Sequence, residues 1–107
     1  MIGRGIFRQC RDGRYALTPL AEALRSDADV SLAGMARFVG APAHRDHWSR
    51  LTDAVRSGHT IVPALHGKPF FDYLASEPAL TEIFNQAMTS SSELSIAPVV
   101  AAYDFSG

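Results

Sequence analysis

Apolar positions along this chain recur mostly at helical spacing, with one early exception. Residues 5–18 instead predict a β-hairpin. Gly5-Ile6-Phe7-Arg8-Gln9 forms one strand, Arg11-Asp12-Gly13-Arg14 the turn, and Tyr15-Ala16-Leu17 the return. Asp-Gly between apolar stretches is a strong hairpin signal, because glycine accepts the positive φ that the turn needs. Thr18-Pro19 then opens a helix, with Thr18 as cap and Pro19 at the first helical position. Leu17, Leu20 and Leu24 share its apolar side. Ser31 is the next cap and leads Leu32, Met35, Ala36 and Val39 on one face, ended by Gly40.

Residues 42–57 predict a third helix, with Trp48, Leu51 and Val55 as its apolar stripe and Gly58 as its stop. Residues 59–68 hold Pro63 and Gly67 without a period and read as a loop. A short aromatic helix follows, from Pro69 through Phe70, Phe71, Tyr73 and Leu74 to near Ser76. Glu77-Pro78 starts the longest pattern, with Leu80, Phe84, Ala87, Met88, Ser91 and Leu94 at a 3.6-residue period. Pro98 lies inside this run or in a break between two helices, since proline removes a backbone donor. The expected fold is mainly α with one hairpin, in a single domain over 1–107. Residues 5–25 carry the hairpin and first helix, and residues 31–103 the helical remainder.

Composition agrees with a globular chain. Of 107 residues, 47% are hydrophobic and 20% charged, and the net charge of −1 gives no overall attraction to nucleic acid or anionic membrane. Cys10 has no partner for an internal disulfide, which suits a reducing compartment. No apolar run is long enough for a membrane span, and the N-terminus has no signal-peptide core. A cytoplasmic protein is expected.

Candidate chemistry is sparse. His44, His47, His59 and His66 invite a metal site, and His44 and His47 are spaced to share a helix face. No HExxH or CxxC supplies the further ligands, so no metal is expected. Arg4, Arg8, Arg11 and Arg14 surround the hairpin and suggest a wing touching phosphates. A DNA reader also needs a recognition helix before the wing, and only Met1 to Arg4 precede it. Cys10 and the serines lie in no nucleophile motif, and no Gly-rich loop follows a strand. Asp27 and Asp29 read as a helix-end cluster. Phe70, Phe71, Tyr73, Leu74, Phe84 and Met88 are either core or the lining of a flat slot for an aromatic ligand.

The order of these segments carries a resemblance. Gly5-Ile6-Phe7, Asp12 through Ala21, Trp48-Ser49-Arg50-Leu51, Gly67-Lys68-Pro69-Phe70-Phe71-Asp72-Tyr73-Leu74, Pro78 and Phe84-Asn85-Gln86-Ala87-Met88 occur in sequence. Together they resemble the N-terminal region of S-adenosylmethionine-dependent O-methyltransferases, the group of plant caffeate-type and bacterial polyketide-type enzymes. The resemblance implies a helical dimerisation region with a remnant winged-helix hairpin, which forms an intertwined homodimer and contributes to the acceptor pocket. It places Phe70, Leu74, Leu80, Phe84, Met88 and Ser91 at pocket-lining positions. Where this chain has Ser91, some relatives carry a histidine that bonds the acceptor. The acceptor implied is a small aromatic or polyketide molecule.

The resemblance also implies that several helices before the hairpin are missing. The segment after Asp104-Phe105-Ser106-Gly107 is expected to hold the Rossmann domain, with its glycine turn, donor-binding acid and catalytic histidine. No catalytic or cofactor-binding residue is therefore expected in these 107 residues. S-adenosylmethionine belongs to the full-length family, and the chain alone is expected to be inactive. Two other functions remain open: a winged-helix DNA-binding or regulatory module, and a stand-alone binder of a planar aromatic ligand.

Overall fold

The computed structural model describes residues 1–106. After one 3-10 turn at Ile2–Arg4 come β1 (Phe7–Gln9) and β2 (Tyr15–Leu17). Among the described residues seven helices follow: α1 (Pro19–Glu22), α2 (Ala33–Gly40), α3 (Pro42–Ser49), α4 (Leu51–Ser57), α5 (Val62–His66), α6 (Phe70–Ala75) and α7 (Pro78–Ala102). The fold is mainly α with one antiparallel hairpin, as the sequence predicts.

The hairpin pairs Phe7 with Leu17, Arg8 with Ala16 and Gln9 with Tyr15. Its turn is closed by two backbone bonds. Gly13 donates to the Cys10 carbonyl at 3.0 Å and Cys10 donates to the Arg14 carbonyl at 2.7 Å. Gly13 has φ 81°, the left-handed conformation for which glycine is suited. Thr18 does not cap α1 with its side chain. Its hydroxyl instead donates back to the carbonyls of Gly5 and Ile6, fastening the helix start to the segment that leads into β1. The helix after it has only four residues.

The N-cap of α2 is Leu32, not the predicted Ser31. Ser31 sits one residue before it and still accepts from the Ala33 N–H at 3.2 Å, while its hydroxyl donates to the Arg25 carbonyl at 2.6 Å. The apolar face assigned to α2 is different. The buried residues are Ala33, Gly34 and Phe38, while Ala36 and Val39 are exposed and Leu32 and Met35 half-buried. At about 100° per residue these two sets lie on opposite sides of the helix. The reason is proximity: α2 packs more extensively against α7 than any other helix pair does. A Cβ at Gly34 would lie 2.9 Å from the Gln86 carbonyl carbon and 3.1 Å from the Ala87 nitrogen. So close a crossing selects the smallest residues, not the largest apolar ones.

Two further boundaries differ. The predicted helix over 42–57 is two helices, broken at Arg50 (φ −97°, ψ 14°). Its stripe of Trp48, Leu51 and Val55 is exposed. Residues 59–68 are not all loop, because Val62–His66 form a short helix. Pro63 lies in its first turn, where no N–H is required, and Gly67 closes it with φ 70°. Gly58 likewise ends α4 with φ 69°, as expected. Pro98 sits inside α7 without a break. Residues 92–100 are exposed, so water can satisfy the carbonyl that Pro98 leaves without its helical donor.

The buried apolar set is small: Ala21, Ala33, Phe38, Ala41, Val62, Leu74 and Ala87. The accessible surface is 8100 Å², whereas a folded monomer of this mass exposes about 5,800 Å². The radius of gyration is 18.5 Å, against about 13 Å for a compact chain of this length. Among the described residues no helix is long and apolar enough to cross a membrane. The surplus surface is instead distributed over amphipathic faces. Val39, Trp48, Leu51, Val55, Ile96, Val99 and Val100 are each at least half exposed.

Candidate acceptor-binding face

The elbow between α6 and α7 organises the aromatic residues. Pro69 is extended (φ −59°, ψ 161°) and starts α6, and Tyr73 donates to its carbonyl at 2.9 Å. At the other end, the Leu74 carbonyl accepts from Glu77 N–H at 2.9 Å and from the Thr81 hydroxyl at 2.5 Å. Pro78 then begins α7, its fixed φ suited to a first turn. These two hydrogen bonds to one carbonyl fold α6 back beside α7.

The fold-back brings Phe70 to 5.6 Å from Phe84, edge to face. Phe71 approaches Phe84 at 6.3 Å, and Phe38 of α2 reaches it at 5.3 Å. Phe84 is therefore the hub of a four-phenylalanine cluster. Edge-to-face packing sets the positive ring edge against the negative face of its neighbour. Among the described residues no polar or charged side chain is buried, so the cluster has an apolar interior.

The six residues expected at pocket positions are distributed unequally. Leu74 is buried, Phe70, Leu80, Phe84 and Ser91 are half-buried, and Met88 is 38% exposed. Leu80, Phe84, Met88 and Ser91 fall within one side of α7, as their spacing requires. Ala87, on the same side, is fully buried against α2. Much of this stripe thus serves as core in the isolated chain, and its outer margin, Met88 and Ser91, stays accessible. A separate cleft of about 690 Å³ runs along another side of α7, between Ala75, Pro78, Thr81, Glu82, Asn85, Gln86, Thr89 and Ser90. It contains none of the six.

Phe38 and Gly34 are the residues that sequence reasoning missed. Phe38 is hidden because the other face of α2 has the stronger periodic pattern. A small pair one turn before a phenylalanine, Ala33-Gly34 and Phe38, is the available signal for a close helix crossing.

The other candidates are scattered. His44 lies beside Phe38 with ring centroids 4.5 Å apart, and His47 faces His66. His59 is bonded to the Ser57 carbonyl at 2.7 Å. Arg4, Arg8, Arg11 and Arg14 are exposed around the hairpin, and Arg14 is tied to Asp12 at 2.7 Å. That bond holds the Asp12 carboxyl below the usual carboxylate range. Asp27 and Asp29 do not form a helix-end cluster, because α1 stops at Glu22 and both lie in the turn segment after it, where Asp27 pairs with Arg25 at 2.8 Å. Cys10 sits in the hairpin turn, half-buried.

The two strands are joined by the Gly13 turn, so among the described residues no glycine-rich strand-to-helix turn presents backbone amides to a methyl donor. The cluster presents an apolar surface, with the His44 ring 4.5 Å from Phe38 and the His47 ring 6.4 Å from Phe70.

Comparison with known proteins gives the family. The O-methyltransferase domain matches residues 48–107, and the chain belongs to that family. It is 38% identical over 96 residues to the mitomycin biosynthesis 6-O-methyltransferase of Streptomyces lavendulae, covering 90% of this chain and 28% of that protein. It is 33% identical over 102 residues to the phenazine O-methyltransferase PhzM of Lysobacter antibioticus, covering 95% of this chain and 30% of that protein. Among solved structures, LaPhzM superposes with a TM-score of 0.88 at 31% identity, over 98% of this chain and 31% of that one. The mitomycin 7-O-methyltransferase MmcR superposes with a TM-score of 0.75 at 36% identity, over 98% and 31%. The chain therefore spans about 30% of the length of the relatives it matches.

Proposed function

We propose that this chain is the dimerisation and acceptor-binding portion of an S-adenosylmethionine-dependent small-molecule O-methyltransferase, inactive by itself and cytoplasmic. One observation carries the reading. Two apolar stripes point outward from a chain whose own core is small, Trp48, Leu51 and Val55 on α3 and α4 and Leu94, Ile96, Val99 and Val100 on α7, and Val39 of α2 is exposed as well. Faces with helical periodicity and no cover within the chain are what an intertwined homodimer needs. The surplus of roughly 2,000 Å² suits obligate interfaces, which exceed those of transient complexes. The hairpin takes the place of the winged-helix wing and serves association, not DNA.

The acceptor is a planar aromatic molecule, held along Phe70, Leu74, Leu80, Phe84, Met88 and Ser91. The relatives named for mitomycin and phenazine support this class. S-adenosylmethionine is held by the rest of the full-length family's fold, and this chain binds none alone.

Calorimetry with a phenazine and, separately, with S-adenosylmethionine tests the reading. The phenazine is expected to bind and S-adenosylmethionine to give no binding heat. Met88→Ala, at an exposed position, is expected to weaken phenazine binding on the order of tenfold with the thermal midpoint unchanged. Tight donor binding, or phenazine binding indifferent to Met88, would contradict the proposal.

A further inference from the structure

Three helices meet at a pair of histidines that the acceptor reading does not use. His47 lies in the last turn of α3 and His66 at the end of α5. Their Nε2 atoms are 2.8 Å apart. At that distance one ring donates its N–H and the other accepts on its lone pair. The His66 ring is stacked on Tyr73 of α6, with centroids 3.7 Å apart and planes at 11°. His47 meets Tyr73 edge-on at 5.9 Å. Among the described residues no other side-chain hydrogen bond, and no ion pair, links α3 to α5 or α6.

We propose that the His47–His66 pair is a proton-operated latch that joins α3 to α5 and α6 when at least one ring is neutral and opens when both are charged. With both rings neutral, the bond is N–H to lone pair. One added proton goes to the free Nδ1 of the donor ring and leaves the bond in place, strengthened by charge. A second proton must take the accepting lone pair. Two imidazolium rings then face each other with donors only, at a spacing where like charges repel.

The surroundings offer little compensation. Asp46 and His44 on α3 are the charged or titratable neighbours from that helix, and they act in opposite directions. Tyr73 is the titratable group facing the pair from α6. On the α4–α5 side, the adjoining cavity is lined by Trp48, Leu51, Ala54, Thr60, Ile61 and Val62, none of which titrates in the histidine range. Burial, followed by the nearby His66, holds the His47 pKa below the ordinary histidine value.

The sign follows from linkage. A histidine whose pKa is lowered by folding contributes stability that is complete above its unfolded value, about 6.5. That contribution is lost as pH falls through the ordinary histidine range and then through the lower folded value. Phe70, on α6, lies 6.4 Å from His47 and 5.6 Å from Phe84. Opening would therefore shift one edge of the aromatic face; this consequence rests on the acceptor reading, whereas the latch itself does not.

The test needs no ligand. Imidazole nitrogen NMR of the wild-type chain, titrated from neutral to mildly acidic pH, is expected to show one ring of the pair titrating below the ordinary histidine value. The Tyr73 ring resonances should shift at the same midpoint. Trp48 is the only tryptophan and neighbours His47, so its emission should follow the same transition. That reading is taken in a His44→Gln background, because His44 also lies 6.1 Å from Trp48 and quenches it when charged. His66→Phe keeps a ring to stack on Tyr73 but cannot be protonated. It should abolish the transition, and with it a fall in thermal midpoint of roughly 5 °C on acidification. Two histidines titrating independently at ordinary values, with Tyr73 unmoved, would overturn the latch whether or not His66→Phe folds. Because donor and acceptor ligands are absent from the measurement, its failure leaves the acceptor reading separately testable.

Discussion

Gly34→Val is expected to destabilise the chain by about 3 kcal/mol, the upper part of the overpacking range. Gly34→Ala should lose somewhat less. Both residues have better helix propensity than glycine, by up to about 1 kcal/mol, so at an open helix position either change would stabilise. Position 34 is closed. The added Cβ would stand 2.9 Å from the Gln86 carbonyl carbon and 3.0 Å from its oxygen. These are backbone atoms within α7 and cannot swing aside as a side chain could. The helices must separate, and separation strips Ala33, Phe38 and Ala87 of their burial at once. Gly40, in the same helix, is the control, because a Cβ added there would meet nothing within 4 Å. Gly40→Ala is expected to be neutral or stabilising by up to about 1 kcal/mol. Urea unfolding followed by circular dichroism separates the two. Equal effects at 34 and 40 would mean that the α2–α7 crossing is not the chain's main internal contact.

Phe84→Ala is expected to cost about 3 kcal/mol, the low end for a phenylalanine truncation because the ring is only half-buried. Phe84 meets Phe38, Phe70 and Phe71 edge to face. Among the described residues no other ring joins α2, α6 and α7 in this way. Against a total stability that is ordinarily about 5–15 kcal/mol, the loss is a large share of the whole, and the variant should unfold at a clearly lower temperature than the wild type. Phe84→Leu keeps most of the volume and should lose about 1 kcal/mol. Thermal unfolding checks the order wild type, Leu, Ala. An Ala variant as stable as the Leu variant would show that the cluster is not a packing centre.

These two sites also mark how far the fold is legible in the sequence. Local signals succeed where local physics decides. Asp12-Gly13 sets the hairpin, Gly58 stops α4, and Glu77-Pro78 opens the long helix. They fail where tertiary contact decides. The apolar stripe of Leu32, Met35, Ala36 and Val39 predicts a buried face, and the chain buries the opposite one. Trp48, Leu51 and Val55 likewise have helical spacing and are exposed. Periodicity records that a face is to be covered, and does not say by which molecule. The face that α2 does bury is built from small residues, which carry almost no hydropathy signal. The short helix at Val62–His66 escapes a sequence reading because Pro63 looks like a breaker unless it falls in a first turn.

The aromatic positions are half legible. Their spacing puts Leu80, Phe84 and Met88 on one side of α7, and Phe84 does contact Phe70 across the elbow. Phe38 comes from a distant helix, and no local pattern could attach it to them. The pairing of His47 with His66, nineteen residues apart, is equally out of reach.

Whether the outward apolar faces meet a second copy of this chain is tested most directly by sedimentation equilibrium, run from low to high micromolar concentration. A dimer is expected, with Trp48→Glu shifting the chain toward monomer because a charge would enter the covered stripe. A monodisperse monomer throughout that range, with Trp48→Glu indistinguishable from wild type, would contradict the dimerisation role.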